Sequence, residues 1–192
     1  MYKAIVVGTS YGGLEALKLI LPQLPEDFPL PVIVVLHIGE HKNDTFIRLL
    51  NELCTLQVKE AESKEPVLPG HIYFAPPNYH LLVEDDRTFS LSTDEKLNYS
   101  RPSIDILFES AAWAYQHELI GLILTGANSD GAEGLKTIKS FGGKTIVQDP
   151  CHAIAPIMPR FALKIAQPEI RLSLEAIPAR LVELASSKKA VE

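Results

Sequence analysis

Short uninterrupted apolar runs alternate along this chain with longer runs whose apolar positions recur every three or four residues. Residues 4–7 are all apolar and mostly β-branched, as in a strand covered on both faces. After Gly12-Gly13, Leu14, Leu17, Leu19, Ile20, Leu21 and Leu24 follow helical spacing, and Pro22 and Pro25 close the helix. Residues 32–36 read as a second buried strand. Residues 42–53 read as a helix with Phe46, Ile47, Leu49, Leu50 and Leu53 turned inward.

The middle of the chain has a different texture. Strand-like pieces at 58–60, 71–74, 81–84 and 89–92 are split by Pro69-Gly70, Pro76-Pro77-Asn78 and Asp85-Asp86. This pattern predicts antiparallel hairpin structure inserted into an α/β plan. Pro102 then precedes a helix over 103–115, with Ser103 and Asp105 at its start. Residues 119–124 form the most apolar strand, residues 130–141 a helix ended by Gly142-Gly143, and 144–147 another strand. Helices over 156–166 and 178–185, with a short strand at 171–174 between them, complete the body. Residues 186–192 read as a frayed tail beyond a single unit at 1–185.

Strand–helix alternation predicts a three-layer, doubly wound, mostly parallel α/β sheet carrying the hairpin region as an insertion. Such sheets bind ligands at the carboxyl ends of their strands. The residues that follow the strands are therefore the ones to inspect. Gly8-Thr9-Ser10-Tyr11-Gly12 follows the first and His37 ends the second. Thr125-Gly126-Ala127-Asn128-Ser129-Asp130 follows the strand at 119–124, and Gln148-Asp149 the next. A serine, a histidine and two aspartates thus gather at one edge.

Composition narrows the classes. A chain of 192 residues is about one domain and needs no disulfide or metal to hold its core. Its net charge of −6 lacks the basic footprint of a nucleic-acid binder or of a protein docked on anionic lipid. Cys54 and Cys151 are too few and too far apart for a disulfide scaffold or zinc knuckle. There is no apolar run of membrane-spanning length and no signal-peptide pattern at the start, so a soluble cytoplasmic protein is expected. Without a secretory signal, the glycosylation patterns at Asn43 and Asn98 read as chance.

Gly8-Thr9-Ser10-Tyr11-Gly12 fits G-x-S-x-G, a sharp strand-to-helix turn that lifts a serine hydroxyl over a sheet edge. A generic glycine-rich turn fits the same five residues. The dinucleotide fingerprint would need glycine at Ser10, and a P-loop would need Gly-Lys where Gly13-Leu14 stand. His37 is either a core histidine satisfied by backbone or a base for the serine. His37-Ile38-Gly39-Glu40-His41 also fits H-x-x-E-H, but a β-branched strand running into it and Gly39 inside it oppose the helix that zinc ligation needs. Asp130, with Glu133 three residues on, is either a helix cap or the carboxylate that orients His37. Asp149 is the second candidate for that role, although Pro150 marks it as a turn residue. His71, His80, His117 and His152 are scattered, without metal-ligand spacing.

Together these segments resemble the catalytic domain of the chemotaxis protein-glutamate methylesterases, the CheB family. The resemblance runs through Gly8-Thr9-Ser10-Tyr11-Gly12-Gly13-Leu14-Glu15-Ala16-Leu17, Leu36-His37-Ile38 and Pro69-Gly70-His71-Ile72-Tyr73-Phe74-Ala75-Pro76. It continues in Arg101-Pro102-Ser103-Ile104-Asp105, Leu124-Thr125-Gly126-Ala127-Asn128-Ser129-Asp130-Gly131-Ala132, Gly142-Gly143-Lys144-Thr145-Ile146-Val147-Gln148-Asp149 and Met158-Pro159-Arg160. These segments cover nearly the whole chain, in the family's order.

The resemblance implies a Ser10–His37–Asp130 triad that removes methyl esters from glutamate side chains of chemoreceptor-like proteins and deamidates receptor glutamines. It implies oxyanion contacts from the backbone N–H groups of Tyr11, His37 and Ala127, and no metal or organic cofactor. Three departures stand out. Tyr11 replaces the usual threonine, Ala127 the usual methionine, and Ile38-Gly39-Glu40 a methionine-proline stretch. The receiver domain usual in the family has no counterpart in these residues, so a receiver or signalling partner acting in trans is the expected regulator. Two other functions fit the same residues: a non-catalytic binding module, with Tyr11 partly filling the serine pocket, and a serine esterase for another ester.

Overall fold

The computed structural model describes residues 1–37, 43–97 and 99–186. The expected tail (187–192) lies outside them, as do Ile38 to His41 of the H-x-x-E-H pattern and Asn98. Seven strands form the main sheet, in the order β3 (Gln57–Glu60), β4 (His71–Phe74), β2 (Val32–Leu36), β1 (Ala4–Thr9), β7 (Leu119–Ile123), β8 (Lys144–Gln148) and β9 (Ile170–Leu172). All their pairings are parallel.

The central strands consist almost wholly of apolar residues and glycine because both faces are covered. Ile5, Val7, Val32, Val34, Ile120 and Leu122 point to one layer. Ala4, Val6, Ile33, Val35, Leu119 and Ile123 point to the other, in the period of two that a strand imposes. The first layer holds α1 (Gly13–Ile20), α2 (Asn43–Leu53) and α6 (Ile177–Ser186), which contribute Leu17, Leu50 and Leu181. The second holds α3 (Ile104–Tyr115), α4 (Ala132–Ser140) and α5 (Ile157–Ile165), which contribute Phe108, Leu135 and Met158. The three-layer doubly wound expectation holds. Among the described residues, no helix is long and apolar enough to cross a membrane.

The insertion is smaller than the pattern predicts. Among the described residues only β5 (His80–Val83) and β6 (Phe89–Ser92) form an antiparallel strand pair, which packs against α3 through Leu81, Val83 and Phe89. β3 and β4 belong to the main sheet, in parallel register with Val58 beside Ile72 and Ile72 beside Val32. Pro and Gly mark the chain reversals, but they do not reveal which partner a strand takes next. The first helix is also shorter than its apolar spacing suggests. It ends at Ile20, and residues from Leu21 to Gln23 tighten into a 3₁₀ turn around Pro22.

The strand order reverses direction at β1. Outward from β1 the sheet runs through β2, β4 and β3 on one side, and through the later strands β7, β8 and β9 on the other. The loops that leave β1 and β7 diverge at such a switch point and open a crevice at the carboxyl edge. Ser10 leaves β1 at that edge and Asp130 follows β7.

Candidate active site

The turn after β1 is built for close approach. A side chain at Gly8 would lie 2.3 Å from Ile104 Cγ2, so only hydrogen fits there against α3. Gly12 has φ of 81°, which lets the chain turn into α1 without strain. Ser10 stands between them, with its N–H donating to Thr125 C=O at 3.0 Å. Its Oγ makes no hydrogen bond to another described residue. Tyr11 is 68% exposed, so most of its ring faces solvent.

Thr125 ties three loops together. Its C=O also accepts from Thr9 Oγ1 at 2.8 Å, and its N–H donates to the buried Gln148 Oε1 at 2.8 Å. Its hydroxyl donates to Tyr11 C=O at 2.9 Å and accepts from Ala155 N–H at 2.8 Å. Thr125→Val keeps the shape and leaves these groups without a partner. The expected cost is about 2 kcal/mol, a fall in Tm of roughly 4–8 °C for a chain of this length, measured by thermal unfolding.

β2 brings the histidine alongside. Thr9 pairs with Leu36, and His37 N–H donates to Thr9 C=O at 3.1 Å. That amide is therefore spent in the ladder and is not an oxyanion donor, contrary to one of the three expected contacts. The N–H groups of Tyr11 and Ala127 are not engaged by other described residues.

The His37 ring, 13% exposed, does not rest on backbone as a core histidine would. Its Nε2 lies 3.1 Å from Asp130 Oδ2. This is ion-pair range without the alignment of a hydrogen bond. Its Nδ1 lies 3.2 Å from Asn128 Nδ2.

Asp130 is fully buried, and it caps a helix other than its own. α4 has Gly131 at its N-cap position and no side-chain cap. The Asp130 carboxylate instead accepts from Ile104 N–H at 2.7 Å, Asp105 N–H at 3.1 Å and Ser103 Oγ at 3.0 Å. It closes the N-terminus of α3, where the helix dipole favours an anion. Ser103 occupies the N-cap position of α3, but its hydroxyl serves the carboxylate. Burial pushes Asp130 up, yet the contact with His37 and the N–H donors of Ile104 and Asp105 outweigh it and hold the carboxyl below its usual range. Asp149, the second candidate, lies elsewhere. Its carboxylate accepts from Cys151 N–H at 2.9 Å and lies 3.5 Å from Arg171 Nε.

Sequence reasoning missed three supporting residues. Asn128 was visible only as part of a loop pattern. Ser103 looks in the sequence like an ordinary helix cap. His80, one of the scattered histidines, is fully buried behind the site. Its Nδ1 accepts from Ser103 N–H at 3.1 Å and its Nε2 faces Glu95 C=O at 3.1 Å. That donor pattern places the proton on Nε2.

Asp105 is the second buried carboxyl here. Burial pushes it up to about 7, the neighbouring Asp130 adds to the rise, and Gly134 N–H, donating at 2.7 Å, opposes it. A carboxyl raised in the fold stabilises fully below its unfolded pKa and loses that stability as pH rises to 7. Asp105→Asn keeps the acceptor for Gly134 and removes the ionisation. The variant is expected to gain about 2 kcal/mol on the wild type between pH 5 and pH 8. Unfolding curves at the two pH values measure it.

A family model described as CheB methylesterase matches residues 5–181. A protein of Leptospira interrogans is 52% identical over 183 residues, which cover 95% of each chain. A protein-glutamate methylesterase/protein-glutamine glutaminase of Thiobacillus denitrificans is 39% identical, and one of Thermotoga maritima 35% identical. This chain spans 51% and 54% of the length of those two relatives. The crystal structure of the Thermotoga maritima CheB methylesterase catalytic domain superimposes with a TM-score of 0.91 at 34% identity, covering 96% of this chain and 99% of that one.

Proposed function

The chain belongs to the CheB methylesterase family, and on that premise we propose that residues 1–185 form a cytoplasmic serine hydrolase that removes methyl esters from glutamate side chains of chemoreceptor-like proteins. Deamidation of protein glutamines, the second activity in the names of the relatives, is the same chemistry with ammonia as leaving group, and receptor glutamines are its proposed targets here. The observation that carries the reading is the buried carboxylate of Asp130 at 3.1 Å from the His37 ring, beside the Ser10 turn.

In this reading Ser10 Oγ attacks the ester carbonyl and its proton passes to His37. With Nε2 facing Asp130, the receiving nitrogen is Nδ1. The imidazolium that forms is stabilised by a carboxylate that the N–H groups of Ile104 and Asp105 help to keep ionised. The unengaged N–H groups of Tyr11 and Ala127 are the oxyanion donors, each worth about 3 kcal/mol in the transition state. They are backbone groups, so alanine in place of methionine at 127 leaves the donor intact. Collapse of the tetrahedral adduct breaks the ester C–O bond, and methanol leaves with the proton from His37. Water then repeats the sequence on the acyl-enzyme. None of these steps draws on a metal or organic cofactor.

Tyr11 bears on the binding-module alternative. That alternative has Tyr11 partly filling the serine pocket, and a ring mostly in solvent favours the catalytic reading over it. A serine-directed fluorophosphonate tests catalytic competence directly. Stoichiometric modification of the Ser10 peptide, seen by mass spectrometry, is expected. An unmodified Ser10 would favour the binding module.

A further inference from the structure

Resting on that reading, one residue outside the expected triad carries a role of its own. The Asn128 side chain touches two groups. Its Oδ1 accepts from Asp130 N–H at 3.2 Å, and its Nδ2 lies 3.2 Å from His37 Nδ1. The first contact fixes the orientation of the amide, because a backbone N–H can meet only the oxygen. The NH₂ group is therefore turned to the ring. It can only donate, so Nδ1 must accept, and the proton of neutral His37 lies on Nε2, facing Asp130.

We propose that Asn128 is the positioning residue for the base: it holds neutral His37 in the tautomer whose Nδ1 is free of a proton, and yields that nitrogen to the Ser10 hydroxyl when substrate binds. The Asp130 carboxylate alone does not settle the choice. Its Oδ2 contact with Nε2 lacks hydrogen-bond alignment, and the carboxylate is already occupied by Ser103, Ile104 and Asp105. Asn128 adds a second, directional constraint from the opposite side of the ring. It is tethered to the backbone N–H of Asp130, so base and carboxylate are set by one loop. Contacts of this kind are commonly rearranged in the Michaelis complex, which allows the amide to give way to the serine.

The test exchanges donor for acceptor without changing shape. In the full chain labelled with ¹⁵N-histidine, His37 is assigned by the signal lost in His37→Gln. Two-bond ¹H–¹⁵N spectra of the wild type at pH 8 are expected to show Nδ1 unprotonated and Nε2 protonated. Asn128→Asp places a carboxylate against Nδ1 and is expected to show that nitrogen protonated. With its base occupied, the variant is expected to lose roughly 100-fold or more in kcat for methyl-ester hydrolysis, with KM changed less than threefold. Asn128→Ala, which leaves both tautomers open, is expected to lose less than Asn128→Asp. A wild type with Nδ1 protonated, or an Asn128→Asp variant with an unchanged His37 spectrum and full kcat, would overturn the proposal. The spectra do not depend on turnover. Failure of the proposed activity itself would show as Ser10-independent hydrolysis and leave the histidine result standing.

Discussion

Ser10→Ala is expected to abolish methyl-ester hydrolysis while leaving the fold intact. Loss of a serine nucleophile costs at least about 10⁴-fold in kcat, because the remaining oxyanion donors and binding contacts supply only residual catalysis. The stability side follows from the geometry. Ser10 is held by its backbone, through Thr125 C=O and Gly13 N–H. Its hydroxyl makes no hydrogen bond to another described residue and the side chain is partly exposed. Removing it leaves no buried group unpaired, so unfolding should change by less than about 0.5 kcal/mol. An enzyme that is both dead and fully stable identifies Ser10 as a chemical rather than a structural residue.

Asp130→Asn is expected to fail on both counts. The carboxylate serves two masters, the His37 ring and the N-terminus of α3. An amide keeps one oxygen, but its NH₂ must face either Ile104 N–H or the Ser103 and Asp105 donors. Two donors then oppose each other in a buried site, and the charge that favours the helix N-terminus is gone. The expected cost is about 3 kcal/mol, a fall in Tm of roughly 6–12 °C. Catalysis should fall about 10³–10⁴-fold, since the imidazolium loses its counter-charge. The pH dependence has a definite sign. A carboxyl held below its unfolded pKa stabilises above about pH 4 and loses that contribution as pH falls. The wild type should therefore lose more stability than Asp130→Asn between pH 5 and pH 3. Separate stability and activity measurements distinguish this dual role from a purely catalytic one, which would leave Tm unchanged.

The elements that place the site were legible because their physics is local. β1 up to Gly8, β2 and β7 carry only apolar residues and glycine, as strands covered on both faces do. The serine turn needs glycine at Gly8 and Gly12 for reasons of space and backbone angle. The partners of those elements were less legible. The D-x-x-E pattern at Asp130 and Glu133 is a sound local capping signal, yet a helix that starts 26 residues earlier captures the carboxylate. The pieces that became β3 and β4 carry the same Pro and Gly punctuation as the true hairpin, and only the parallel register of β4 to β2 and of β3 to β4 separates them. His37 as an oxyanion donor failed because backbone hydrogen bonding is set by strand pairing. Asn128 and His80 act through hydrogen bonds whose meaning depends on what faces them, and a sequence does not display that.

The central claim is hydrolysis of a protein glutamyl methyl ester by Ser10. Its most direct test is methanol release from a methylated chemoreceptor cytoplasmic fragment, followed with wild-type protein and with Ser10→Ala. The expected result is methanol equal to the methyl esters lost, with none above background from the variant. Equal release by the two proteins, or turnover of small esters with an untouched receptor fragment, would contradict it.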